Sequence, residues 1–184
     1  GVETAHLTVE TYKTIRKTLK GISLKSLGDS LDTIRIVKDT GELAAIRRAI
    51  ACHTQALHET LAWISPSSTE REWSIEFAYR ARRHGADGLS FETIVASGPR
   101  SATPHAAASG AHLDGTGPVV FDHGVVKNGY CSDETATFFL KHPSKKVIKI
   151  YDIVRQAHDL AIASIRPGLK ASDIDKIARE RIAA

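Results

Sequence analysis

The sequence predicts an α+β fold in which antiparallel strands carry helices packed on the outside. Two observations predict it. Paired capping signals open helices in the first half of the chain, and an Asn128-Gly129 step separates two β-patterned runs. An apolar content of 42% supplies a core, and a charged content of 25% is ordinary, so the composition excludes disorder for most of the chain.

The elements follow in order. Thr8 to Leu19 reads as an amphipathic helix capped by Thr8, with Tyr12, Ile15 and Leu19 at helical spacing and Gly21 ending it. Thr33 to Val37 fits a short helix or a short strand equally well. Asp39 with Glu42 forms a capping-box pattern ahead of a long helix whose inner face is expected at Leu43, Ile46, Ile50, Leu57, Leu61 and Ile64, with Pro66 as the stop. Thr69 with Glu72 opens a second capped helix, with Trp73, Phe77 and Ala81 inward and Gly85 as its C-terminal cap. The pattern then turns to β. Thr93 to Ala96 is a short strand ending in the turn signal Ser97-Gly98-Pro99, and Ser101 to Gly117 is a loop of small residues. Val119 to Val126 and Tyr130 to Leu140 are the two arms of a hairpin around Asn128-Gly129. Ser144 to Ile165 is a long helix closed by Pro167-Gly168, and a last helix starts near Ser172. The run of helix, Ile64-x-Pro66 and capped helix is echoed by helix, Ile165-x-Pro167 and capped helix. A duplicated α/β unit with its second half missing explains that echo. The chain also begins at Gly1 and contains no methionine, and the expectation is a chain cut at both ends.

Charge and cysteine content narrow the function classes. The 25 basic and 21 acidic residues leave a net charge of +4, and the bases are scattered, which argues against a dedicated nucleic-acid binder. Cys52 and Cys131 form no CxxC and have no histidines at zinc-finger spacing. They read as free thiols in a reducing compartment. With no apolar run of membrane length and no signal peptide, a cytoplasmic protein without a membrane partner is expected.

The hairpin carries the chemistry. A two-residue turn at 128 and 129 sets Lys127 opposite Tyr130, Asp122 opposite Thr135 and Asp133 opposite Gly124. Opposed residues share a face, so Asp122 and Asp133 become diagonal neighbours about 7–8 Å apart at Cα. Two carboxylates that close repel one another, and one or two cations between them relieve the repulsion. Thr135 offers a hydroxyl to hold Asp122, and Gly124 leaves room. The bland reading is two aspartates on a solvated face, and an odd turn length would separate them. On the other face, His123 lies opposite Glu134; a metal role is one reading, and a hydrogen bond to Glu134 is the one the pairing favours. His105 on its own reads as an exposed loop histidine.

These residues resemble the aminopeptidase P and prolidase family of pita-bread metallopeptidases. Arg35 to Asp39 with Glu42, Ile46 and Arg47 resembles the opening of its catalytic domain. Ile94-Val95-Ala96-Ser97-Gly98 with Ser101 and Pro104-His105 resembles its substrate loop. Asp122-His123-Gly124 with Gly129-Tyr130-Cys131-Ser132-Asp133-Glu134-Thr135 resembles its metal hairpin, and the two aspartates have the family's spacing. The resemblance implies the first half of a pita-bread fold. It makes residues 1–38 the closing helix and linker of an N-terminal creatinase-like domain, and residues 39–184 the N-terminal part of the catalytic domain. It implies hydrolysis of the bond before proline, on a dipeptide or a longer peptide. Asp122 and Asp133 would hold two divalent ions, with a hydroxide between them as nucleophile; oxygen ligands put manganese first, with cobalt or zinc as alternatives. His105 would hydrogen-bond the substrate or the tetrahedral intermediate, Thr135 would support the ligands, and the complete protein would be a homodimer.

The pattern departs from the family in places. A histidine and two glutamates complete the family's site further along, and the chain ends before they could appear; neither His58-Glu59 nor His158-Asp159 substitutes for them. The chain alone is therefore expected to bind metal weakly and to lack activity. Ala136 stands where arginine is usual, Ala106 replaces the glycine after the histidine, and His123 replaces an aromatic or aliphatic residue. Methionine aminopeptidases share the fold and both aspartates, and the wording Tyr130-Cys131-Ser132-Asp133 favours the proline enzymes. The alternative from another class is a non-catalytic pita-bread module that binds protein or nucleic acid; retention of both aspartates argues against it.

Overall fold

A computed structural model describes residues 1–113, 115 and 117–184. They fall into two compact units, Gly1–Ala45 and Ile46–Ala184.

The first unit holds α1 (Val9–Thr18) and α2 (Ser30–Ile36). Thr8 caps α1 as expected, its hydroxyl accepting from Thr11 N at 3.1 Å. The open choice at residues 33–37 resolves to a helix.

The capping box opens α3 (Thr40–Trp63): Asp39 N donates to Glu42 Oε2 and Glu42 N to Asp39 Oδ1, both at 2.8 Å. The face of this helix bears out Leu57, Leu61 and Ile64 and corrects the rest of the expectation. Leu43 and Ile50 are exposed, and the buried stripe is Ala45, Ala49, Cys52, His53, Ala56, Leu57 and Thr60. Small side chains win the inner positions because they let the helix pack closely at core density, which Ile50 would obstruct. The second capping box opens α4 (Glu70–Arg83), which buries Trp73, Phe77 and Ala81 as the spacing predicts; Gly85, at φ 84°, follows as the left-handed cap. Trp73 and Phe77 are fully buried, each contributing roughly 1.5–3 kcal/mol of apolar burial.

The strands are β1 (Gly88–Leu89), β2 (Ile94–Ser97), β3 (Val119–His123), β4 (Val125–Lys127), β5 (Tyr130–Cys131) and β6 (Glu134–Phe138). The turn expected at Ser97-Gly98-Pro99 continues as a 3-10 helix, Gly98–Ala102. Each arm of the hairpin, read as continuous in sequence, is broken: the first at Gly124, the second at Ser132-Asp133. The arms are shared between two antiparallel sheets, β1-β4-β5 and β2-β3-β6. The break has a physical cause. Gly124 O accepts from Ser90 N on the β1 side, Val125 N donates to Ser132 Oγ, and Ser132 O accepts from Ser90 Oγ, so these groups are taken by Ser90 and by a side chain instead of by each other's backbone across the hairpin. A Cβ on Gly124 would collide with the Ser132 carbonyl.

The register survives the break. Lys127 pairs with Tyr130, and Asp122 with Thr135. Asn128 and Gly129 have φ of 52° and 78°, the left-handed pair that a type I′ turn requires. One face of β3 buries Val119, Phe121 and His123 in the core with Trp73, Phe77 and Val95. The opposite face carries Asp122. The chain ends in α5 (Lys145–Ser164), capped by Ser144, and α6 (Ala171–Ala183), which begins one residue before the expected Ser172. Among the described residues, no helix is long and apolar enough to cross a membrane.

Candidate metal centre

Asp122 leaves the outward face of β3 half-buried, and Asp133 leaves the irregular link between β5 and β6 exposed. Both line one cleft of about 380 Å³, together with His105 and Glu92. The expected support for Asp122 is present: Thr135 Oγ1 donates to its Oδ1 at 2.9 Å. Thr135 reaches the adjoining cleft, where Asp122 and His105 also stand. The four residues singled out by sequence therefore lie around one pair of adjoining clefts. Carboxylate oxygens, one oriented by a hydroxyl, are the donors that hard divalent cations take. The residues present fit part of such a site; among the described residues, no third histidine, cysteine, aspartate or glutamate joins them to complete a ligand group.

His105 sits at φ 56°, a left-handed conformation uncommon outside glycine, though histidine takes it more readily than most residues. What holds its loop is a residue the sequence reading passed over. Glu70, in the first turn of α4, is fully buried. Its carboxylate accepts from Ser97 N (2.8 Å) and Oγ (3.1 Å), from Ser109 N (3.0 Å) and Oγ (2.6 Å), and from Arg100 Nε (3.1 Å). Arg100 in turn donates to Ala107 O at 2.7 Å. Both ends of the segment carrying His105 are thus tied to one carboxylate. Burial alone would push the Glu70 carboxyl up; the hydrogen bonds from Ser109 and Ser97 outweigh it and hold the group below the usual range.

The expected hydrogen bond between His123 and Glu134 does not form. His123 is fully buried, and neither ring nitrogen has a partner. It stacks on Phe77 with centroids 4.8 Å apart and meets His53 edge-on at 4.4 Å. The pairing of backbones is as expected, but the inward side chain enters an aromatic cluster while Glu134 stays half-exposed. Burial, with His53 nearby adding to it, pushes the His123 imidazole down to about 3. His53 of α3 takes the contact instead, its Nε2 lying 3.3 Å from Glu134 Oε2 and its Nδ1 3.0 Å from Ser132 Oγ. The two cysteines are free thiols, Cys52 buried and Cys131 exposed.

Comparison with known proteins gives the family and the fold. The metallopeptidase family M24 profile matches residues 44–184, and the chain belongs to that family. The uncharacterized peptidase YqhT of Bacillus subtilis strain 168 is 32% identical over 184 residues, which are 100% of this chain and 52% of that protein. The uncharacterized peptidase SAS1635 of Staphylococcus aureus strain MSSA476 is 33% identical, over 98% of this chain and 52% of its own length. Among solved structures, the X-Pro aminopeptidase from Thermotoga maritima MSB8 superposes with a TM-score of 0.93 at 32% identity, over 98% of this chain and 51% of that one. The prolidase from Pyrococcus furiosus gives 0.88 at 32% identity, over 97% and 52%. The chain has the first half of the pita-bread fold and spans about half the length of the curated relatives it matches.

Proposed function

We propose that this chain supplies two metal ligands and a substrate-facing histidine to a Xaa-Pro peptidase that uses two divalent ions. The observation that carries the reading is the convergence of Asp122, Asp133 and His105 on one cleft, with Thr135 holding Asp122. Asp122 and Asp133 would hold the ions, with manganese first on the strength of the carboxylate donors. When bound, the ions would supply Lewis-acid polarisation of the scissile carbonyl and lower the pKa of water. His105 would hydrogen-bond the substrate beside the ions that the two carboxylates would hold. Its loop is pinned through Glu70, so little reorganisation is needed when the peptide docks. Residues 1–38 would be the tail of a creatinase-like domain that contributes to a homodimer, and the two free thiols suit the cytoplasm.

Titration with manganese, followed by electron paramagnetic resonance, tests the ligand assignment. Weak binding by the chain, lost in Asp122→Ala and in Asp133→Ala, is the expected result. Equal binding by all three proteins, or none by the parent chain, would remove the assignment. With only two ligands of the family's set, the chain alone is expected to show no appreciable hydrolysis of Xaa-Pro peptides with added manganese. Turnover abolished by Asp133→Ala would refute that.

A further inference from the structure

We infer that His53, on the buried face of α3, is the positioning residue for Asp133. The inference rests on the metal reading of Asp133 for its functional consequence, and on geometry alone for its structural content.

Asp133 belongs to no strand; it sits in the two-residue gap between β5 and β6. Its neighbours on either side, Ser132 and Glu134, both turn toward the helix side and meet the same imidazole. Ser132 is buried with its Oγ 3.0 Å from His53 Nδ1, and the Glu134 carboxylate reaches back to 3.3 Å from His53 Nε2. With both flanking side chains drawn to one side, the residue between them is presented to the other, where the cleft lies.

The proton inventory is consistent. His53 is buried, and burial lowers its affinity for a second proton despite the opposing charges of Glu134 and Asp133, so the ring is neutral with one N–H. Val125 N donates to Ser132 Oγ at 3.0 Å, and of the two acceptors within reach of the hydroxyl proton, Val125 O at 3.4 Å and His53 Nδ1 at 3.0 Å, the imidazole nitrogen is the nearer. The ring's own N–H is then on Nε2, facing Glu134 at ion-pair distance though off the axis of a hydrogen bond. A chain of contacts thus runs from the β4 backbone through Ser132 and His53 to Glu134 and spans the gap that holds Asp133. Gly124 and the Ser132 carbonyl are packed against each other across the same gap, so the link has little freedom of its own.

The test compares the full 184-residue chain with His53→Ala, His53→Asn and Ser132→Ala. Asn can place an acceptor where Nδ1 stands and keep the Ser132 contact. Residual dipolar couplings over residues 130–135 read the placement of Asp133 with no metal present. The expected result is a shift confined to 131–134 in His53→Ala and Ser132→Ala, reversed in His53→Asn. Manganese-induced broadening of the amides around Asp122 and Asp133 reads the consequence. Affinity should fall about tenfold in His53→Ala, the size usual for a residue behind a ligand, and recover in His53→Asn. An unmoved Asp133 in folded His53→Ala, or a shift that Asn does not reverse, overturns the inference. If the couplings shift as expected while the parent chain binds no manganese, the positioning stands and the metal reading fails. Should His53→Ala not fold, Ser132→Ala and His53→Asn decide the matter by the same couplings.

Discussion

Replacing Glu70 tests whether one buried carboxylate holds the His105 loop. Glu70→Ala leaves Ser97 N and Ser109 N without their acceptor, and orphaned buried donors cost about 1–3 kcal/mol each. It also unpairs Arg100. That side chain is 43% exposed and can return its charge to water, so its share is small. The loss should come to about 2–5 kcal/mol, most of it from the two backbone donors left without an acceptor. Glu70→Gln keeps one acceptor oxygen but turns an amide N–H₂ toward donors, for about 2 kcal/mol. Urea unfolding reads both as a lower midpoint with unchanged slope. The pH dependence carries a sign. The folded Glu70 carboxyl lies below its ordinary value of 4.5, so its stabilisation is fully present above about that pH and is lost as pH falls through the lower folded value. The Glu70→Gln chain should lack this component of acid destabilisation. A Glu70→Ala chain within about 1 kcal/mol of the parent, or an unchanged acid profile in Glu70→Gln, would refute the reasoning.

Thr135→Val removes the hydroxyl that orients Asp122; manganese affinity should fall about tenfold by titration, with little change in urea midpoint because Thr135 is exposed. Gly124→Ala sets a methyl against the Ser132 carbonyl, and should cost more than about 2 kcal/mol in the same unfolding measurement. His123→Phe keeps an aromatic ring beside Phe77 and removes two unpartnered ring nitrogens, so the chain should gain about 1–3 kcal/mol at neutral pH; a loss would mean that those nitrogens are satisfied in solution.

The residues that could be read from sequence are those whose partners lie nearby in the chain or follow from strand register. The capping boxes at Asp39 and Thr69 close within three residues, and the Asn128-Gly129 turn fixes Asp122 opposite Thr135 without further information. Glu70 escaped because its donors come from residues 27 to 39 positions away; one residue past a helix cap, a glutamate reads as a solvated first-turn acid. His53 is hidden for the same reason, lying 79 positions from Ser132 on a helix whose spacing points to larger aliphatics for the inner face. The pairing of His123 with Glu134 was right for the backbones and wrong for the side chains, since register fixes which residues are opposed and not which way a long side chain leans.

Asp122 rides on the β2-β3-β6 sheet, while Asp133 hangs from the seam joining that sheet to β1-β4-β5. The gap between the two carboxylates is therefore set by how one sheet is tilted on the other. Substitutions at Ser90, Gly124 or Ser132, none of which carries a carboxylate, can widen or narrow it. On the metal reading proposed above, a lineage could adjust which ionic radius the pair would accommodate while both aspartates stay unchanged.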